Sequence, residues 1–171
     1  MNQEISVLPI IGIGIIAIGI VATLVMDIWG VLRQRLLGIA PPNYGLVGRW
    51  LAHMRQGRFH HPAIAKSAAV RGETVIGWSA HYLIGIAFAA LLLALTGSEW
   101  LVHPTPGPAI SVGVLTVAAP FLLMQPGMGA GIAASRTPNP ISARLHSLIN
   151  HAVFGLGLYL GGLISAALQS A

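Results

Sequence analysis

Cysteine is absent from this 171-residue sequence, which excludes disulfides, thiolate metal sites and a cysteine nucleophile. Charge is scarce as well. Only 8% of the residues are charged, whereas a soluble domain carries about a quarter. So few charges cannot solvate a water-exposed surface, while lipid needs no such surface. No positive n-region precedes the first apolar run, and no small-x-small cleavage site follows it. That run is therefore expected to be a retained helix and not a signal peptide. Alternation of apolar and polar residues is missing from the apolar segments, which argues against β-barrel strands. A serine elbow or other nucleophile motif is missing too.

What is present is hydrophobicity in long runs: 55% of the chain is hydrophobic and the mean hydropathy is +0.78. A helix needs about 20 apolar residues to cross the ~30 Å hydrocarbon core. Four segments meet or approach this, over residues 7–32, 75–96, 109–125 and 147–168. The third is the shortest and contains Pro120. The expected fold is therefore all-α, a polytopic membrane protein built as a four-transmembrane-helix bundle, with residues 1–171 forming a single membrane domain.

All nine Lys and Arg residues fall in or beside two of the connections. Arg33, Arg35, Arg49, Arg55, Arg58, Lys66 and Arg71 lie between the first and second spans, and Arg136 and Arg144 between the third and fourth. The connection 97–108 has none. Basic residues concentrate in cytoplasmic loops, so loop 33–74 is expected in the cytoplasm and both termini in the periplasm. The basic composition is thereby explained by topology, and no nucleic-acid partner is expected.

Within the long loop, Leu46, Val47, Trp50, Leu51 and Met54 recur at helical spacing, with Arg49, His53 and Gln56 on the other face. This pattern suits an interfacial amphipathic helix, with Trp50 at the interface and Arg49 toward anionic headgroups; a short packed loop helix is the alternative. The adjacent His60 and His61 sit in a basic stretch without carboxylates, and are expected to be solvated. After the third span, glycines and prolines over 126–140 suggest a tightly packed turn, from which Arg136 could contact a lipid headgroup or other anion.

An ionisable group within a span is costly, and by default suggests a functional site. Asp27, His81 and His151 each lie a few residues inside the basic end of a span, and Gln125 closes the third span on that side. Asn150 precedes His151. Each ionisable group shares a helix face with small residues: Gly19, Thr23 and Asp27; Gly77, His81 and Gly85; Ser147, His151 and Gly155. Small-residue faces are where membrane helices approach closely. An intramembrane polar cluster of Asp27, His81, Gln125, Asn150 and His151 is expected, with a backbone carbonyl near Thr116 freed by Pro120.

Four roles fit such a cluster. It can be a structural hydrogen bond fixing helix register, worth about 0.6–2 kcal/mol. It can relay protons or handle a small solute. Asp27, His81 and His151 can ligate a divalent metal or haem, although no ligand-dense motif accompanies them and no cofactor is expected on other grounds. Catalysis on a lipid is the fourth, with no motif that calls for it; the balance is against an enzyme. The small size and small-residue faces favour an accessory membrane component, assembling with itself or with a larger membrane complex.

Several runs carry a resemblance. Thr23-Leu24-Val25-Met26-Asp27-Ile28-Trp29, Tyr44-Gly45-Leu46-Val47-Gly48-Arg49-Trp50, Gly77-Trp78-Ser79-Ala80-His81-Tyr82, Gln125-Pro126, Ser135-Arg136-Thr137-Pro138-Asn139-Pro140 and His151-Ala152-Val153-Phe154-Gly155 resemble an uncharacterised bacterial membrane family, domain of unknown function 2938. The resemblance covers residues 14–161. It implies a bacterial inner-membrane protein of several spans, and brings no activity, cofactor or catalytic residue.

Overall fold

The computed structural model describes residues 2–170, with side chains described at residue 9 and from residue 11 onward. The described residues are helical or in turns and loops, with no strand among them. The helices are α1 (Asn2–Leu37), α2 (Tyr44–Met54), α3 (Glu73–Thr96), α4 (Pro106–Leu115), α5 (Gln125–Met128) and α6 (Pro140–Gln169). Four segments are long and apolar enough to cross a membrane: Ile11–Leu37, Glu73–Thr96, Pro106–Met128 and Pro140–Gln169. The last starts seven residues before the expected boundary of 147, because Asn139 caps it, accepting from Ser142 N at 3.2 Å, and Pro140 occupies the first turn.

Large apolar side chains lie exposed on every spanning segment, among them Ile13, Leu83, Leu122 and Leu160. In water such a surface would aggregate, whereas in a bilayer it is the lipid contact. This is a multi-pass membrane protein.

Helix α6 packs against α1 on one side and α4 on the other through glycine. A methyl built on Gly157 would lie 2.7 Å from Ala22 Cα, and one on Gly155 would lie 2.8 Å from Ile110 Cα. Such contacts bring backbones together where lipid supplies no hydrophobic force between helices. The buried core of Ile18, Ala22, Leu92, Leu93, Trp100, Leu101, Val112, Phe154 and Leu158 sits mainly toward the 97–105 connection.

The third span is not a continuous α-helix. Pro120 has no N–H, and its ring opposes the carbonyl one turn earlier. The chain widens into a π turn over Pro120–Met124, where Gln125 N bonds to Pro120 O. The carbonyl of Thr116 is not left free as expected: Ala119 N takes it at 3.0 Å.

Helix α2 lies against the start of α3 with backbone contact, Gly48 facing Glu73 O and Gly77 facing Tyr44 O. The side chains expected to face lipid from this helix are used inside the protein. Arg49 makes a two-pronged ion pair with Glu73, at 2.8 and 2.7 Å, and reaches Ser67 O at 3.0 Å. Trp50 Nε1 donates to Phe59 O at 2.9 Å, and its ring covers Gly127. Arg49 and Trp50, expected at the headgroups, thus have partners within the protein, where residues 57–73 fold back over α2.

Candidate functional site

Asp27 and His81 meet as expected. His81 Nε2 lies 2.9 Å from Asp27 Oδ1, and the Tyr82 hydroxyl donates to Oδ2 at 3.0 Å, so both carboxylate oxygens are engaged. Tyr44, the first residue of α2, stacks on the His81 ring with centroids 4.1 Å apart and planes 24° apart. Burial first, and then the Asp27 charge, push the Tyr44 phenol well above its ordinary value. Tyr44 therefore stays neutral over the physiological range and keeps a hydroxyl donor.

His151 takes a different partner. Its Nδ1 lies 3.1 Å from Thr116 Oγ1 and 3.3 Å from Gly113 O, while Thr116 Oγ1 itself donates to Gly113 O at 2.6 Å. Two acceptors converge on Nδ1, so the network places the ring proton there and leaves Nε2 of the neutral ring as an acceptor. Asn150 is turned to the buried Arg33, which donates to its Oδ1 at 3.1 Å. Among the described residues Gln125 has no side-chain hydrogen-bond partner, and its Oε1 is buried.

These groups therefore do not form one hydrogen-bonded cluster. All of them except Asp27, which stands behind His81, line one cavity. A partly open volume of about 440 Å³ is walled by Thr23, Met26, Tyr44, His81 and Phe88 from one side, and by Pro120, Leu123, Gln125, Ser147, Asn150 and His151 from the other. The Asp27–His81 pair joins α1 to α3 and the His151–Thr116 bond joins the C-terminal end of α4 to α6, with the cavity between. The separation has a simple cause: the facing of His151 is set by the crossing of α4 and α6 at Gly113 and Gly155.

The metal reading loses its geometry. Among the described residues no group of three or more His, Cys, Asp or Glu side chains is arranged to hold a metal ion, and Asp27, His81 and His151 are no exception.

A buried histidine pair lies outside the sequence expectations. His53 and His61 are buried, with Nδ1 of the first 2.9 Å from Nε2 of the second and the rings stacked. His60 alone is solvated as expected; His61 turns inward because its N–H is held by Gly127 O at 2.9 Å. Only the helical spacing of His53, eight residues upstream, offered a signal, and it does not foretell the fold-back. Arg136 is exposed and has no side-chain partner among the described residues; with His60, Pro126, Gly131, Ile132 and Ser135 it borders a second cavity of about 300 Å³.

No curated protein and no solved structure matches the chain. One family model does match, over residues 16–165, described as "Protein of unknown function (DUF2938)". It takes in both faces of the larger cavity, from Asp27 to His151, and the loop that folds over α2. By that match over most of its length, the chain belongs to the DUF2938 family.

Proposed function

We propose that this is a bacterial inner-membrane protein that handles a small amphipathic solute in the cavity between the Asp27–His81 pair and Gln125, Asn150 and His151. The loops 38–72 and 129–139 hold or adjoin all nine basic residues, so that face is cytoplasmic and both termini are periplasmic. The observation that carries the reading is the cavity itself: a mostly apolar volume with a few convergent polar groups is the usual form of a small-molecule site. A polar pair serving only helix register needs no such space beside it. The wall offers acceptors at His151 and donors at Tyr44 and the Asn150 amide, which suits a solute whose apolar body ends in a hydroxyl or carbonyl group. His81 stands on the wall with Asp27 paired behind it, so the polar end of the solute meets an imidazole that is held in place.

The test is capture by a photoreactive probe, a single-chain alcohol bearing a diazirine, added to the protein in lipid nanodiscs. Crosslinks are expected on 119–125 and 147–154, and Ala119→Trp, which fills the space, is expected to abolish them while the protein still melts cooperatively. Labelling spread evenly over lipid-facing residues, unchanged by Ala119→Trp, defeats the proposal.

An accessory role, by assembly with itself or a larger membrane complex, is the second reading. It is favoured by the apolar side chains exposed on all four spans. The small-residue faces lend it less support than expected, because Gly19, Gly85, Gly113, Gly155, Gly157 and Gly161 are used in contacts within the bundle.

A further inference from the structure

The loop-side face carries a marked imbalance of charge. The sequence has four carboxylate side chains, Glu4, Asp27, Glu73 and Glu99. Asp27 and Glu73 are engaged by His81 and Arg49, Glu99 lies in the turn Ser98–Leu101 at the opposite end, and Glu4 stands near the start of the chain. Arg35, Arg55, Arg58, Lys66, Arg71 and Arg136 are exposed on the loop side, without a carboxylate partner among the described residues. Most of these point from loops with nothing built around them. Arg136 differs, because it borders a cavity with two other hydrogen-bonding side chains, His60 and Ser135, and no acidic residue.

The backbone that holds these three is fixed from several directions. His60 is placed by its neighbour His61, whose N–H bonds to Gly127 O at 2.9 Å and whose ring pairs with His53 at 2.9 Å. Gly129 lies against Pro62 O, at a φ of +99° that suits glycine. On the other side, Ala133 and Ala134 both hold positive φ, 46° and 59°. That conformation is costly for alanine and persists only where the surroundings enforce it. Here Arg144 Nε donates to Ala133 O at 2.7 Å and Thr137 Oγ1 to Ala134 O at 2.8 Å. Arg136 N is tied back to Ala130 O at 2.8 Å. The strained turn delivers Ser135 and Arg136 to the cavity opposite His60, and the guanidinium has no acceptor among the described residues.

From this we infer that the His60–Ser135–Arg136 cavity is a binding site for a phosphate group. A guanidinium offers a planar fork of donors matched to phosphate oxygens, and the hydroxyl and imidazole add donors to the remaining ones. Its volume of about 300 Å³ accommodates a phosphate with a small substituent. The site borders Pro126, at the loop-side end of the third span, and so lies at headgroup level. The phosphate belongs either to an anionic phospholipid or to a small soluble phosphate; the chemistry of recognition is the same. This site is independent of the solute cavity, from which the turn 125–127 separates it.

Delipidated protein in a neutral detergent is titrated with phosphatidylglycerol, and separately with inorganic phosphate and glycerol phosphate. Bound lipid is counted by native mass spectrometry and soluble phosphate by phosphorus NMR. Saturable binding of one equivalent is expected, weakened about tenfold or more by Arg136→Gln, less by Ser135→Ala, and unchanged by Arg71→Gln. Binding in the lipid arm alone assigns a headgroup; binding of the soluble phosphates with no preference for lipid assigns a free phosphate. Circular dichroism melts confirm that each variant is folded, and Arg136→Lys, which keeps the charge, supplies a second variant if Arg136→Gln is not. Equal weakening by Arg71→Gln and Arg136→Gln overturns the inference in favour of diffuse charge. Absence of saturable binding in every arm also overturns it.

Discussion

The two halves of the bundle are built on opposite rules. Toward the 97–105 connection, Ile18, Ala89, Leu92, Trp100, Leu101, Ala109 and Leu158 pack as an apolar core, in which Trp100 Nε1 alone donates a side-chain hydrogen bond, to Thr105 O at 3.3 Å. Toward the basic loops the same helices diverge around a cavity, and the polar groups of the spans gather there: Asp27, His81, Asn150, His151 and Gln125. Pro120 marks the divide on the third span, since the π turn that follows it swings Leu123, Met124 and Gln125 onto the cavity wall. Polar side chains within a membrane are tolerated where they pair or line a cavity, and this protein does both in one half only. The packed half holds the helices; the open half leaves room for chemistry.

The sharpest way to break that contrast is a pair of enlargements. In Gly113→Leu the new side chain starts against the Gly155 backbone, so α4 and α6 must separate. A loss of about 3 kcal/mol is expected, read by unfolding in mixed micelles. Ala119→Phe adds comparable bulk at the cavity wall and is expected to change stability by less than about 1 kcal/mol. Equal costs at the two positions would mean that the cavity closes up in the membrane.

The next effect concerns the polar pair. Asp27→Leu leaves His81 without its partner, and His81→Leu leaves Asp27 with Tyr82 alone. Each is expected to cost about 2 kcal/mol, and the double variant less than the sum, because the penalty of an abandoned partner is removed with the partner. Strict additivity would show that the two groups do not interact.

Both effects rest on features that differ in how well the sequence discloses them. The spans and the Asp27–His81 contact are legible, since hydrophobic length locates the helices and a common depth on small-residue faces brings the two groups together. The start of α6 is legible in Asn139-Pro140 but masked by Arg144 and His146, because hydropathy ends where charge begins while a helix continues past it. The fold-back of residues 57–73 over α2 is not legible. Arg49 and Trp50 have the periodicity of an interfacial helix, and only contacts such as Arg49–Glu73, distant in sequence, turn them inward. The same holds for the buried His53–His61 pair. His151 is read at the right depth but with the wrong partner, for spacing along one helix does not determine which neighbour its face meets.

The smallest effect sharpens the comparison from the outside. Leu83 is 65% exposed on α3, the helix whose Leu92 is fully buried. Leu92→Ala opens a cavity in the packed half and is expected to cost about 2–5 kcal/mol. Leu83→Ala exchanges one lipid contact for another, and is expected to stay within about 0.5 kcal/mol in nanodiscs. If Leu83→Ala instead costs as much as Leu92→Ala, and the cost falls as protein is diluted into lipid, that face is covered by another protein surface. The outward side of α3 would then join the packed part of the molecule, and assembly would become the better account of what the bundle is for.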